Sequence, residues 1–243
     1  ENTAAIVISK KEASVTPIAS TKTYGEFDPS FTGLVDGFLE ADGVSAVYSR
    51  TSGETVIGSP YSISAALSPV EILSNYNITY NTADFTITTK EASVTPTASG
   101  KTYGDADPLL SGLLVGFLET DEVSAVYSRT QGETVLGSPY SISAELNPAD
   151  VLSNYTITYN NASFIINTKE ASVSPATSSK TYGEIDPALT GSLNGFLSTD
   201  GVVATYSRTD GETVLGSPYI ITAALNPQEV LANYSITYHT ADF

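Results

Sequence analysis

Cysteine, methionine and tryptophan are absent from this sequence, and a single histidine stands at position 239. Without cysteine there is no disulfide and no Cys-based zinc site. With one histidine there is neither a typical zinc site nor a His-based triad. His239 falls where the equivalent residues are Asn81 and Asn160, a freely varied place near a strand end, and reads as solvated surface. Basic residues are scarce: 10 against 27 acidic ones, for a net charge of −17. Such a chain cannot bind nucleic acid by counterion release, and anionic membrane surfaces repel it. No apolar run approaches the ~18 residues needed to cross a bilayer. The sequence opens on Glu1 with no Met anywhere, so a processed protein or a piece of something longer is expected, with any leader or anchor lying elsewhere.

What is there is repetition. The stretch from Tyr48 to Tyr61 returns almost unchanged at Tyr127 to Tyr140 and at Tyr206 to Tyr219, a spacing of 79 residues (127 − 48 and 206 − 127). Lys11, Lys90 and Lys169 keep the same offset, as do Tyr24, Tyr103 and Tyr182, and no gap is needed. Three like units follow. Each lies near the lower size at which a domain buries an adequate core alone.

Within a unit, Lys11 to Pro17 reads as a strand with Ala13 and Val15 on one face. Tyr24 to Pro29 reads as a loop, Phe31 to Leu39 as a short or bulged strand, and Val44 to Tyr48 as a strand. Thr51-Ser52-Gly53 and its copies read as a hairpin turn. Pro60 to Ala65 alternates, and so do Tyr76, Ile78, Tyr80 and then Phe85, Ile87. Ser68-Pro69-Val70-Glu71 resembles a capped helix start, Ser at the N-cap and Pro at N1, for one turn at most. Roughly seven short strands and one helical turn predict an all-β chain of three tandem Ig-like β-sandwiches. A β-grasp with its helix at Pro69 to Leu73 is the alternative. The junctions Thr88-Thr89-Lys90 and Asn167-Thr168-Lys169 are short and lack Gly and Pro, which predicts an extended, stiff rod.

Candidate chemistry is thin. All 15 Tyr occupy five repeated positions, those of Tyr24, Tyr48, Tyr61, Tyr76 and Tyr80, and framework roles are favoured over a binding platform. The three arginines, Arg50, Arg129 and Arg208, are expected to pair with Glu54, Glu133 and Glu212 across the hairpin turn. Acidic residues recur at the positions of Glu12, Glu26, Asp28, Asp42, Glu54 and Glu71. Solvated or capping carboxylates are the favoured reading and structural calcium at the loops the lesser one. Lys22 and Asn75 recur as candidates for an isopeptide cross-link, and Asn77 and Asn154 head glycosylation patterns. No catalytic, cofactor-binding or metal residue is assigned, and no enzyme is expected.

The ordered motifs Lys22-Thr23-Tyr24-Gly25-Glu26-Phe27-Asp28-Pro29, Gly58-Ser59-Pro60-Tyr61 and Asn75-Tyr76-Asn77-Ile78-Thr79-Tyr80 resemble the MBG family, the mostly bacterial Ig-like domain with a Tyr-Gly-x-x-x-Pro motif. The resemblance implies a module of bacterial surface or secreted, adhesin-like proteins, extracellular and without catalytic residues. The units are placed at 11–89, 90–168 and 169–243, with 1–10 as the tail strand of a preceding repeat; 3–81, 82–160 and 161–239 is the alternative phase. The partners expected are neighbouring repeats, a host-surface ligand, and further copies of the chain joined head to tail through strand addition by Ala4 to Ser9. The functions in view are a structural stalk and a weak, repeated binding module.

Overall fold

The computed structural model describes residues 6–243. The first repeat builds seven strands: β1 Lys11–Pro17, β2 Ser20–Thr23, β3 Gly33–Asp36, β4 Ser45–Arg50, β5 Tyr61–Ser68, β6 Tyr76–Tyr80 and β7 Ala83–Thr88. They form two sheets, in the orders β3-β1-β6 and β2-β7-β5-β4. β1 runs antiparallel to β3 and parallel to β6. β7 lies between β2, its parallel neighbour, and β5, its antiparallel one. Alternation sets which side chains face inward: Ala13, Val15 and Pro17 from β1, Ile63 and Leu67 from β5, Phe85 and Ile87 from β7. β1 packs on β5 to close the sandwich.

The same two strand orders recur in the second repeat. The third has a three-stranded sheet of Gly191–Asn194, Lys169–Pro175 and Tyr234–Tyr238, and another of Val203–Arg208, Ile220–Asn226 and Ala241–Asp242. Its residues 176–181 form no strand, although Ser99–Thr102 and β2 do so at the equivalent place. The chain is all-β, with three tandem Ig-like domains.

By contact the chain divides into two compact units. Of the described residues, one unit holds 6–94 with 114–125 and 146–159, and the other holds 95–113 with 126–145 and 160–243. The first holds the whole first repeat and the paired strands Lys90–Val94 and Tyr155–Tyr159 of the second. The second unit holds the whole third repeat and the sheet pairing Ser99–Thr102 with Ala162–Asn167. Only Thr89 separates β7 from the next strand, Lys90–Pro96, and only Thr168 stands at the second junction.

Four expectations need correction. Thr51 to Pro60 is a long loop rather than a tight hairpin, because β4 pairs with β5 from Arg50↔Ile63 to Ser45↔Ser68. Ser68 is not an N-cap. It ends β5 with its hydroxyl 3.2 Å from Ser45 Oγ, and extended backbone at Pro69 leads into a 3-10 turn over Val70–Asn75. That turn, and the four-residue helix Gln228–Leu231 at its place in the third repeat, are too short for the helix of a β-grasp. Of the tail strand over Ala4 to Ser9, residues 6–9 carry no strand and Ala4 and Ala5 lie outside the described residues.

Candidate functional site

Two constellations recur. The first is a charge cluster in each repeat, which in the first repeat spans from β2 to β4, the two edge strands of the four-stranded sheet, over Phe85. β2 carries Lys22 inward beside β7, and β4 delivers Arg50 next to it. Asp28, from the loop after Gly25, accepts from Lys22 Nζ at 2.7 Å and from Arg50 Nε and a terminal guanidinium nitrogen at 2.6 and 3.0 Å. Glu54 takes a second bond from each of the two cations. The guanidinium lies 4.8 Å from the centroid of Phe85 and 5.3 Å from that of Tyr61. It caps the core rather than reaching solvent. Arg50, at the end of β4, and Glu54, in the loop that follows it, are thus members of a four-residue network. Lys101, Asp107, Arg129 and Glu133 repeat the network, as do Lys180, Asp186, Arg208 and Glu212.

Hydrogen bonds from Arg50 pull the Asp28 carboxyl down to about 2, against an upward push from burial and with help from Lys22. For Lys22, burial acts downward but the bonds to Asp28 and Glu54 prevail, and its pKa rises. An ionised carboxylate facing a protonated amine is a salt bridge. It is a poor electrophile facing a poor nucleophile, so the cluster is unsuited to amide formation. Lys22 therefore meets Asp28 and Glu54, while the Asn75 position serves elsewhere.

The second constellation joins successive repeats. Within the first unit, Tyr24 donates to both carboxylate oxygens of Asp121, at 3.2 and 3.1 Å. Tyr155 donates to the same carboxylate and accepts from the Leu118 amide at 3.0 Å. The two rings meet edge to face, 5.4 Å apart. Asn154 is 3% exposed and accepts from the Val56 amide at 2.9 Å. The Leu118 side chain covers Gly25, whose φ of +82° suits glycine, and an added Cβ there would lie 2.7 Å from Leu118 Cδ1. Burial, then the bond to Asp121, pushes the Tyr155 hydroxyl up to about 12. Within the second unit the set returns: Tyr103 and Tyr234 on Asp200, Asn233 on the Val135 amide at 2.9 Å, and Leu197 over Gly104.

The acidic positions thus divide by task. Glu12 accepts from Asn77, Glu26 from the Thr23 amide, Asp28 and Glu54 from the cations, and Asp42 from Tyr76. Among the described residues no group of three or more His, Asp or Glu side chains is placed to hold a metal ion. Asn154 is too deeply enclosed to carry a glycan, whereas Asn77 is exposed. Of the five tyrosine positions, Tyr76 is core, Tyr61 braces its loop through Thr55, Tyr48 packs on Gly33, Tyr24 bonds across the junction, and Tyr80 is half exposed. The junction set is what sequence reasoning missed.

The sequence matches the model of the MBG domain (YGX type) three times, over residues 13–86, 92–165 and 171–243. The chain belongs to the MBG domain family. Among solved structures, mouse cadherin-23 EC22-24 is similar at 7% identity and a TM-score of 0.29, covering 95% of this chain and 96% of that one. The immunoglobulin domains 1-4 of Sidekick-1 are similar at 9% identity and a TM-score of 0.26, covering 95% of this chain and 76% of that one. No curated protein matches.

Proposed function

We propose that these MBG domains form a non-catalytic stalk or spacer within an extracellular, adhesin-like bacterial surface or secreted protein, built from repeats at 11–89, 90–168 and 169–243. One observation carries the reading. The Tyr–Asp–Tyr–Asn junction set is built twice, with the same partners and nearly the same distances. A one-residue connection and a buried, bonded junction hold a repeat in one orientation to its neighbour, which a spacer needs and a flexible tether lacks. The family assignment supports the extracellular bacterial placement.

Small-angle X-ray scattering tests it. A single extended particle, with a maximum dimension on the order of 100 Å for three stacked sandwiches, is the expected result. A compact particle, or a broad mixture of shapes, refutes the stalk.

A second reading has its own support: Tyr80, Tyr159 and Tyr238 are each about half exposed at one repeated position. Weak grips on a host glycan or protein at each would add by avidity. Replacing all three with Ala abolishes such binding and leaves the scattering curve unchanged; binding that survives the triple change removes this reading.

A further inference from the structure

The opening and closing strands of a repeat run side by side. In the first repeat, which lies within one unit, β1 is parallel to β6 over five register pairs, from Lys11↔Tyr76 to Val15↔Tyr80. β2 is parallel to β7 over four, from Ser20↔Phe85 to Thr23↔Thr88. The two sets belong to different sheets, yet both keep a spacing of 65 residues (76 − 11 and 88 − 23). Ile18 and Ala19 carry the opening segment from one sheet to the other, and Asn81 and Thr82 do the same for the closing segment. Residues 11–23 and 76–88 are therefore one parallel ribbon that changes sheets without losing register. The same spacing sets Lys90↔Tyr155 and Ser99↔Phe164 in the second repeat and Lys169↔Tyr234 in the third.

Side chains fasten this ribbon along its length. Asn77 donates to both carboxylate oxygens of Glu12, at 2.8 and 3.0 Å, and Asn81 donates to the Thr16 hydroxyl at 2.9 Å. The Thr21 hydroxyl donates to the Thr86 carbonyl at 2.8 Å, and that of Thr88 to the Lys22 carbonyl at 3.2 Å. The Asn81 and Tyr24 amides continue the two ladders onto the Val15 and Thr88 carbonyls, at 2.9 Å each. Lys22 then ties β2 to Asp28 and Glu54, which both hold Arg50 of β4. The charge cluster thus secures the ribbon to the opposite edge of the four-stranded sheet.

We propose that this ribbon is a force-bearing clamp, a device for carrying tension along the chain. The proposal rests on the stalk reading, because a stalk transmits pull between its two ends. Single residues, Thr89 and Thr168, join successive repeats, so tension enters a repeat at the start of its first strand and leaves at the end of its last. In a parallel ribbon those two points lie at opposite ends. The segments are then drawn past each other lengthwise, and the evenly spaced bonds of the parallel ladder stretch together. An antiparallel pairing of first and last strands puts both points at one end, and the same pull opens it pair by pair. Asn77 and Asn81 are exposed, so their bonds add little at equilibrium, where water replaces them on unfolding. Under lengthwise load they oppose the sliding directly.

Single-molecule force spectroscopy of the full chain is the test. The sequence has no cysteine, so an introduced pair defines the two points of pull. Lys10→Cys with Thr89→Cys pulls the first repeat lengthwise, whereas Phe27→Cys with Thr89→Cys pulls both segments from the Thr23↔Thr88 end. Lys10 and Phe27 are exposed and Thr89 is half-buried, so folding, checked by circular dichroism, is retained. The lengthwise pull is expected to give one rupture that releases 79 residues (89 − 10). The end-on pull is expected to release 62 (89 − 27) at about half the force or less, because one register pair at a time bears the load. Asn77→Ala with Asn81→Ala is expected to lower the lengthwise force and leave the end-on force unchanged, a split that a general loss of stability does not produce. Equal rupture forces in the two directions, or asparagine changes that lower both forces alike, overturn the clamp. Neither result touches the scattering test of the stalk, which a compact particle fails whatever the rupture force.

Discussion

Asn75, Asn154 and Asn233 occupy one position in three repeats, yet only the last two are buried, accepting from the Val56 and Val135 amides at 2.9 Å. Replacing Asn154 with Ala removes the acceptor and leaves the Val56 N–H facing a closed space. An unmet donor of this kind costs about 1–3 kcal/mol, at the low end if water enters. The same change at Asn75 removes an exposed amide and costs within about 0.5 kcal/mol. Amide hydrogen exchange at a dilution that keeps the chain monomeric reads the difference directly. Asn154→Ala is expected to lower protection at Val56 by roughly five- to 150-fold, since each 1.4 kcal/mol is a factor of ten. Asn233→Ala does the same at Val135 and leaves Val56 alone. Asn75→Ala changes neither. If Asn154→Ala leaves Val56 protected, or if Asn75→Ala matches its effect, the asparagine does not hold the junction and the reasoning fails.

Acid acts on the charge clusters. The folded pKa of Asp28 and Asp107 lies at about 2, below the unfolded value near 4, so their contribution is full above about pH 4 and is lost as pH falls through 2. Urea midpoints that stay level between pH 5 and roughly 2 count against it. At the other extreme Tyr155 and Tyr234 are held at about 12, against roughly 10 unfolded. Their contribution is full below pH ~10 and lost as pH rises through ~12, and tyrosinate absorbance is expected to show a late-ionising fraction that Asp121→Ala and Asp200→Ala shift to lower pH without abolishing, since burial remains. Intact-mass measurement is expected to match the sequence with no loss of water or ammonia, and a species lighter by water (a bond to Asp28 or Glu54) or by ammonia (a bond to an asparagine) would mean that Lys22 or its equivalents form amide bonds after all. Gly25→Ala and Gly104→Ala are expected to lower the melting temperature more than Gly183→Ala; all three pay for a positive φ, but only the first two drive a Cβ into a leucine. Equal losses would show that Leu118 and Leu197 move aside freely.

The strands were legible because a period of two needs only neighbours. Ala13 and Val15, Tyr61 and Ile63, Phe85 and Ile87 announce one buried face each, and the structure buries the core members. The Ser68 cap was misread because that motif is also compatible with a strand that runs to the serine and turns at proline. Local pattern does not decide between them. The charge cluster was half legible: Arg50 and Glu54 are four residues apart, while Lys22 and Asp28 come from another edge of the sandwich.

The junction was illegible for a deeper reason. Tyr24 stands near Asp42 in sequence, but the carboxylate it reaches is Asp121, 97 residues away in the next repeat. In an array of near-identical units, any pair of positions has an intra-repeat and an inter-repeat partner with the same residue name, and sequence offers no way to choose. The structure chooses by exposure. Equivalent residues share sequence and local backbone, so a difference in burial between them can come only from a neighbour that one copy has and another lacks. Asn75 against Asn154, Tyr182 against Tyr103, and Ile8 against Ile87 each differ in this way, and the exposed members lie in or beside the first repeat or in the third. The interface is therefore written in the sequence three times, but it becomes readable only where one copy is left without its neighbour.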